Sequence, residues 1–223
     1  MSMTRLILAA AAWSFAAAAL AQDAPTAVTR VTAFDRPETQ APPGAPVLQI
    51  ASSDVQDGKP MPQAFSAYGK NVSPPIGWTA GPDKTKAYVL IVQDIDAQDP
   101  DSRSPEPLLH WLAYNIPVTV HSLNRGVKNI KLTTSPLGMM QGWNSHGSFG
   151  WTGPHPPEGA PAHHYVFQAY AVDRKLGTGP GAHLDRVLAA MRGHVIARGE
   201  IVGLYAQPAP KPAVASRAGN VAD

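Results

Sequence analysis

The chain has 223 residues, a formal net charge of +2 and only 15 % charged residues. This near-neutral balance gives no support for nucleic acid or an anionic membrane surface as a partner. The absence of cysteine excludes disulfides, thiolate metal sites and cysteine nucleophiles.

From the start of the chain, residues 1–21 read as a secretory signal. Arg5 supplies the positive flank, 6–20 the apolar core, and Ala19-Leu20-Ala21 a small-x-small cleavage site before Gln22. The apolar run is shorter than the ~20 residues that span a bilayer, so the mature protein is expected in the periplasm or outside the cell. Residues 22–45 are rich in Ala, Pro and Thr without sustained periodicity, which predicts an extended linker. Residues 46–207 form the expected single domain, and 208–223 a loose tail.

Within the domain, 23 prolines and 19 glycines in the chain favour short strands and many turns. Strands are predicted over 47–52, 87–93, 108–116, 163–173 and 200–206. Residues 87–93 and 165–172 are apolar at nearly every position, the pattern of central strands covered on both faces. One amphipathic helix is predicted over 183–197, with Leu184, Val187, Leu188, Met191 and Val195 on a single face. The fold class is therefore mainly β.

Two carboxylates, Asp94 and Asp96, end one of these strands, and His110 starts the next. A calcium loop beginning at Asp94 fails, because Asp99 and Pro105 stand where Gly and Glu are needed. HGSFG at 146–150 lacks the first glycine of a nucleophile elbow. In an extended strand Asp94 and Asp96 would share one face about 7 Å apart, with no aromatic cleft nearby to suggest glycoside hydrolysis. Eight histidines are present, and His110, His155 and His163 fall at segments that could converge on one mouth.

GKNVSPPIGW (69–78), VQDIDAQDP (92–100), LLHWLAYNIP (108–117), GWNSHGSFGWTGPHPPEG (142–159), HHYVFQAYAVD (163–173) and AMRGHVIARGEIVGLY (190–205) occur in this order. Together they resemble the phosphatidylethanolamine-binding protein family, in its bacterial Raf-kinase-inhibitor-like branch. The resemblance implies a large antiparallel sheet packed with a smaller one, few helices, and a small anion pocket without a cofactor. It places the pocket at Asp94 and Asp96, at His110, at the loop of Gly153, Pro154, His155, Pro156 and Pro157, and at His163 and Tyr165. The chain departs from the family pattern at Ile95 and Gln98, where prolines are usual, and at His155, which adds a protonatable donor at the mouth.

The function this implies is an exported binding protein for a small anion or phospho-head-group, without turnover. His110, His163, Tyr165 and the loop amides near His155 are the expected donors. Asp94 and Asp96 are the expected supports behind the histidines, orienting the rings and favouring their cationic forms. A protein partner, as in a kinase or protease inhibitor, and a homodimer stay open. So does a hydrolase using the Asp/His cluster with or without a metal.

Overall fold

The computed structural model describes residues 32–98 and 106–210. The strands in chain order are β1 (Ile50–Ala51), β2 (Lys59–Pro60), β3 (Ile76–Trp78), β4 (Ala87–Gln98), β5 (Pro107–Pro117), β6 (Ser122–Leu123), β7 (Leu132–Thr134), β8 (Leu137–Gln141), β9 (His163–Val172) and β10 (Val195–Tyr205), with one α-helix, α1 (Leu184–Met191). Seven strands form one sheet in the order β2-β10-β9-β4-β5-β8-β7, and β1-β3-β6 form a smaller one. All named pairs are antiparallel except β2 with β10.

Strands β9 and β4 lie mid-sheet, and their apolar runs divide between two cores with the strand period of two. Tyr88, Leu90 and Val92 of β4, with Tyr165 and Phe167 of β9, meet Ile76, Trp78 and Leu123 of the small sheet. Val89 and Ile91, with Tyr170 and Val172, meet Val187, Leu188 and Met191 of α1 on the other face. The mainly β class and the paired sheets agree with the sequence reading.

Three details of that reading change. The helix ends at Met191, and Gly193 follows at φ 74°, the left-handed turn that commonly stops a helix. Val195, predicted to close the helical face, instead starts β10, and it reaches the same core from the sheet. The strand predicted over 47–52 shrinks to Ile50–Ala51, with Val47 forming only an isolated bridge to Arg198.

Residues 32–45, predicted as part of a linker, are seated on the helix-bearing face of the sheet. Ala33 and Thr39 are fully buried. The Ala33 N–H donates to the buried Gln93 Oε1 at 2.7 Å, and Arg198 lies 3.9 Å from the Phe34 ring centroid while donating to the Phe34 carbonyl. Arg36 pairs with Glu106, and Arg192 with Glu38. The predicted signal sequence at 1–21, residues 22–31 of the predicted linker and 211–223 of the predicted tail lie outside the described residues. No helix among the described residues is long and apolar enough to cross a membrane.

Candidate functional site

The antiparallel order β9-β4-β5 brings the end of β4 beside the starts of β5 and β9, with Asp94 registered against both Tyr165 and Leu108. Topology alone therefore gathers Asp94, His110, His163 and Tyr165 at one end of the central strands. Asp94 is 2 % exposed, and its two oxygens divide their work. Oδ1 accepts the N–H groups of Asp96 and Ala97 at 2.8 and 3.1 Å, turning the chain. Oδ2 accepts from His163 Nδ1 at 2.7 Å, which orients that ring and leaves its Nε2 outside the pair.

That turn sends Asp96 elsewhere. Its Oδ2 accepts from the backbone N–H and Nδ1 of His164, at 2.7 and 2.8 Å. Burial pushes the Asp96 carboxyl up, but His164 outweighs it and leaves it below the usual range. Since His163 and His164 are consecutive in β9, their side chains alternate faces, and the expectation of two carboxylates on one face is corrected. Asp96 does not support His110 or His163 directly.

His110 owes its position to a β-bulge. Val92 registers with Trp111 and Gln93 with Leu109, so His110 is the extra residue. A bulge of this kind re-aims side chains. Leu109 packs on the helix side, while Trp111 and the His110 ring both face the inter-sheet side, where His110 lies beside Trp151 and Tyr165. The Thr152 carbonyl sits 2.6 Å from His110 Nδ1. A carbonyl only accepts, so Nδ1 carries a hydrogen and the neutral ring presents Nε2 as an acceptor.

The charge expected for His110 is corrected as well. Its ring is 1 % exposed, and burial lowers its pKa to about 4 despite the Thr152 carbonyl and Asp94, which raise it. Desolvation wins because no carboxylate contacts the ring, and His110 is neutral at physiological pH. The Tyr165 hydroxyl stays protonated, its pKa pushed far up by burial and then by Asp94. Asp94 and the His155 N–H both act on it, yet neither closes a regular hydrogen bond. Among the described residues, His110 Nε2 and Tyr165 Oη are buried without a hydrogen-bond partner.

The proline-rich loop contributes less than expected. Of its five residues only Gly153 and His155 have an N–H, and that of Gly153 is taken by Asn71 Oδ1 at 2.7 Å. The loop is pinned to the 65–71 segment throughout: Ala67 N–H donates to Pro154 O, and Tyr68 Oη to Pro156 O. A Cβ at Gly153 would lie 2.0 Å from the Phe65 carbonyl, so only glycine allows this approach. His155 is exposed and tilts against Tyr68, 4.7 Å between ring centroids. Pro156 is buried and Pro157 exposed. A nest of several amides is therefore replaced by one, that of His155.

A model of the phosphatidylethanolamine-binding proteins matches residues 51–206. The chain belongs to this family. A UPF0098 protein of Methanothermobacter thermautotrophicus is 37 % identical over 158 residues, covering 71 % of this chain and 98 % of that protein. One from Aquifex aeolicus is 33 % identical over 163 residues, covering 73 % and 90 %. A solved phosphatidylethanolamine-binding protein homologue from Chlamydia trachomatis superposes with a TM-score of 0.63 at 34 % identity, covering 72 % of this chain and 98 % of its own. Escherichia coli YbcL, described as a member of the mammalian family, gives 0.63 at 28 %, covering 72 % and 99 %.

Two residues of these family blocks support the site without having been singled out from sequence. Asn144 locks the turn above His110: Oδ1 accepts the His146 and Ser148 N–H groups, and Nδ2 reaches Gly150 O and Thr152 Oγ1. His146, on that turn, is exposed and lies 5.2 Å from the His110 ring centroid. Ser148, the only hydroxyl of HGSFG, bonds to Asn144 and Thr152 and so serves the turn. No cluster of three or more metal-ligating side chains occurs among the described residues. A mostly apolar cavity of about 400 Å³, lined by Met61, Leu204 and Tyr205, reaches Ala162 beside His163 but includes none of the polar site atoms.

Proposed function

We propose that this protein is an exported, non-catalytic binding protein of the phosphatidylethanolamine-binding family that holds a small oxyanion head-group at Tyr165, His110 and His163. Membership of a family of binding proteins supports the binding role. The observation that carries the site is the pair of buried, unpartnered polar atoms, Tyr165 Oη and His110 Nε2, beside a histidine held by Asp94. Unmade hydrogen bonds at buried polar groups are costly, and a ligand that completes them recovers that cost. A role as a kinase- or protease-inhibitor-like regulator would follow from ligand occupancy at this mouth.

Isothermal titration with methyl phosphate tests the site. Tyr165→Phe keeps the ring and removes only the hydroxyl, so affinity should drop about ten-fold, the worth of one hydrogen bond to a charged group, with the thermal unfolding midpoint unchanged. Equal affinity of the variant and the parent protein removes Tyr165 from the site. Export rests on Arg5, the apolar stretch 6–20 and Ala21. Intact mass of protein from its native host should place the first residue at Gln22, and a retained residue 1–21 segment would refute export by cleavage.

A further inference from the structure

We propose that the pocket selects oxyanions that carry their own proton: a hydrogen-phosphate group, of inorganic phosphate or of a phosphomonoester, in preference to an aprotic anion such as a phosphodiester. This rests on the oxyanion reading above and specifies what kind of oxyanion fits. The Thr152 carbonyl fixes the hydrogen of His110 on Nδ1, so the buried and unpartnered Nε2 presents a lone pair. A fully deprotonated anion set against that lone pair meets acceptor against acceptor. A P–O–H group instead donates to His110 Nε2, while its other oxygens accept from Tyr165 Oη and the His155 N–H.

The surroundings keep this polarity in place. The groups that act on the His110 ring are Asp94 from β4, His163 and Tyr165 from β9, and His146 from the turn over it. Asp94 hydrogen-bonds to His163 and within its own turn, and acts on His110 only through its charge. The ring is buried beside Trp151 as well, so proton uptake at Nε2 would create a charge without a contacting counter-ion. Without a ligand the floor therefore stays an acceptor. A ligand that brings its own proton meets it as it is, whereas an aprotic anion, although it would supply the counter-ion, first requires a proton from solvent on Nε2.

The test compares methyl phosphate with methyl sulfate and dimethyl phosphate by titration calorimetry at about pH 5.5 and about pH 8, since the second ionisation of a phosphomonoester falls near pH 6. Below it, all three probes are monoanions of similar size, and only methyl phosphate has a hydroxyl. At the lower pH, where all three probes carry one charge, protein groups that titrate act on every probe alike. Methyl phosphate should bind about ten- to hundred-fold tighter than the other two at the lower pH, and most of that advantage should vanish at the higher. Inorganic phosphate run alongside identifies the source: a match with methyl phosphate assigns free phosphate, and a ten-fold deficit assigns an ester.

Equal binding of all three monoanions at the lower pH overturns the proposal and leaves the oxyanion pocket standing. No binding by any of them overturns both. Nitrogen NMR of the ligand-free protein gives an independent check, because His110 Nε2 should be unprotonated across this range. A protonated Nε2 at neutral pH would overturn the proposal without reference to any ligand.

Discussion

Two histidine–aspartate pairs stand side by side between β4 and β9 and differ in little but burial. Asp94 with His163 spans 2.7 Å and Asp96 with His164 spans 2.8 Å, so distance does not separate them. Their side chains do: 3 % and 15 % exposed in the first pair, 40 % and 49 % in the second. Water screens and competes for the outer pair, whereas the inner one has lost that competitor. The same two residue types, on neighbouring positions of the same two strands, give a buried brace beside the candidate site in one case and a surface contact in the other.

The largest expected effect comes from cutting the inner pair. Asp94→Ala removes the acceptor of three donors at once, and urea denaturation should register a loss of about 3–5 kcal/mol. A loss no larger than that of the outer pair would break the contrast.

Next is the acid side of the stability curve, where His110 serves as a third, carboxylate-free histidine. Buried neutral, it binds a proton less readily in the folded than in the unfolded chain. Stability from this source is complete above the ordinary pKa of 6.5 and is lost as pH falls toward about 4. The change amounts to about 3 kcal/mol at roughly 1.4 kcal/mol per unit. His110→Gln should flatten that part of the pH profile, and an unaltered slope would mean that other groups carry it.

Smallest is the outer pair. Asp96→Ala should cost less than about 1 kcal/mol, and added salt should shrink even that. A larger, salt-insensitive loss in denaturant titration would show that exposure is a poor guide to the worth of such a pair.

How far the sequence carried these conclusions varied with the physics behind each. The central strands were legible because both faces are buried and every position must be apolar, as in Val89-Leu90-Ile91. Strands of two or three residues such as β2, β6 and β7 carry no period of their own and exist only through the neighbour they pair with. The end of the helix was misjudged because Val195 suits the helical face and the strand equally, and only Gly193 marks the break. The gathering of Asp94, His110, His163 and Tyr165 was legible through the family blocks.

Their electrostatics was not. Proximity of a carboxylate to a histidine can be guessed from motifs, but burial cannot, and for His110 burial decides. The bulge that aims this ring leaves no trace in LLHWL. Asn71 sits in GKNVSPP without any sign that its side chain reaches across to take the Gly153 N–H, although its positive φ of 51° shows how tightly that turn is held.

The seating of residues 32–45 bears on the order in which the chain is made. Phe34 and the Arg198 that clasps it are 164 residues apart, and Glu38 and Arg192 are 154 apart. This early segment meets Gln93 and Glu106 midway along the chain, but the partners of Phe34 and Glu38 are made only near its end. Such distant contacts slow folding, since the loop between them must close first. A nascent chain that stops short of β10 leaves this segment only partly seated, more open to a protease than in the finished molecule. Cleavage within 32–45 thereby becomes a readout of whether the far end of the chain has arrived.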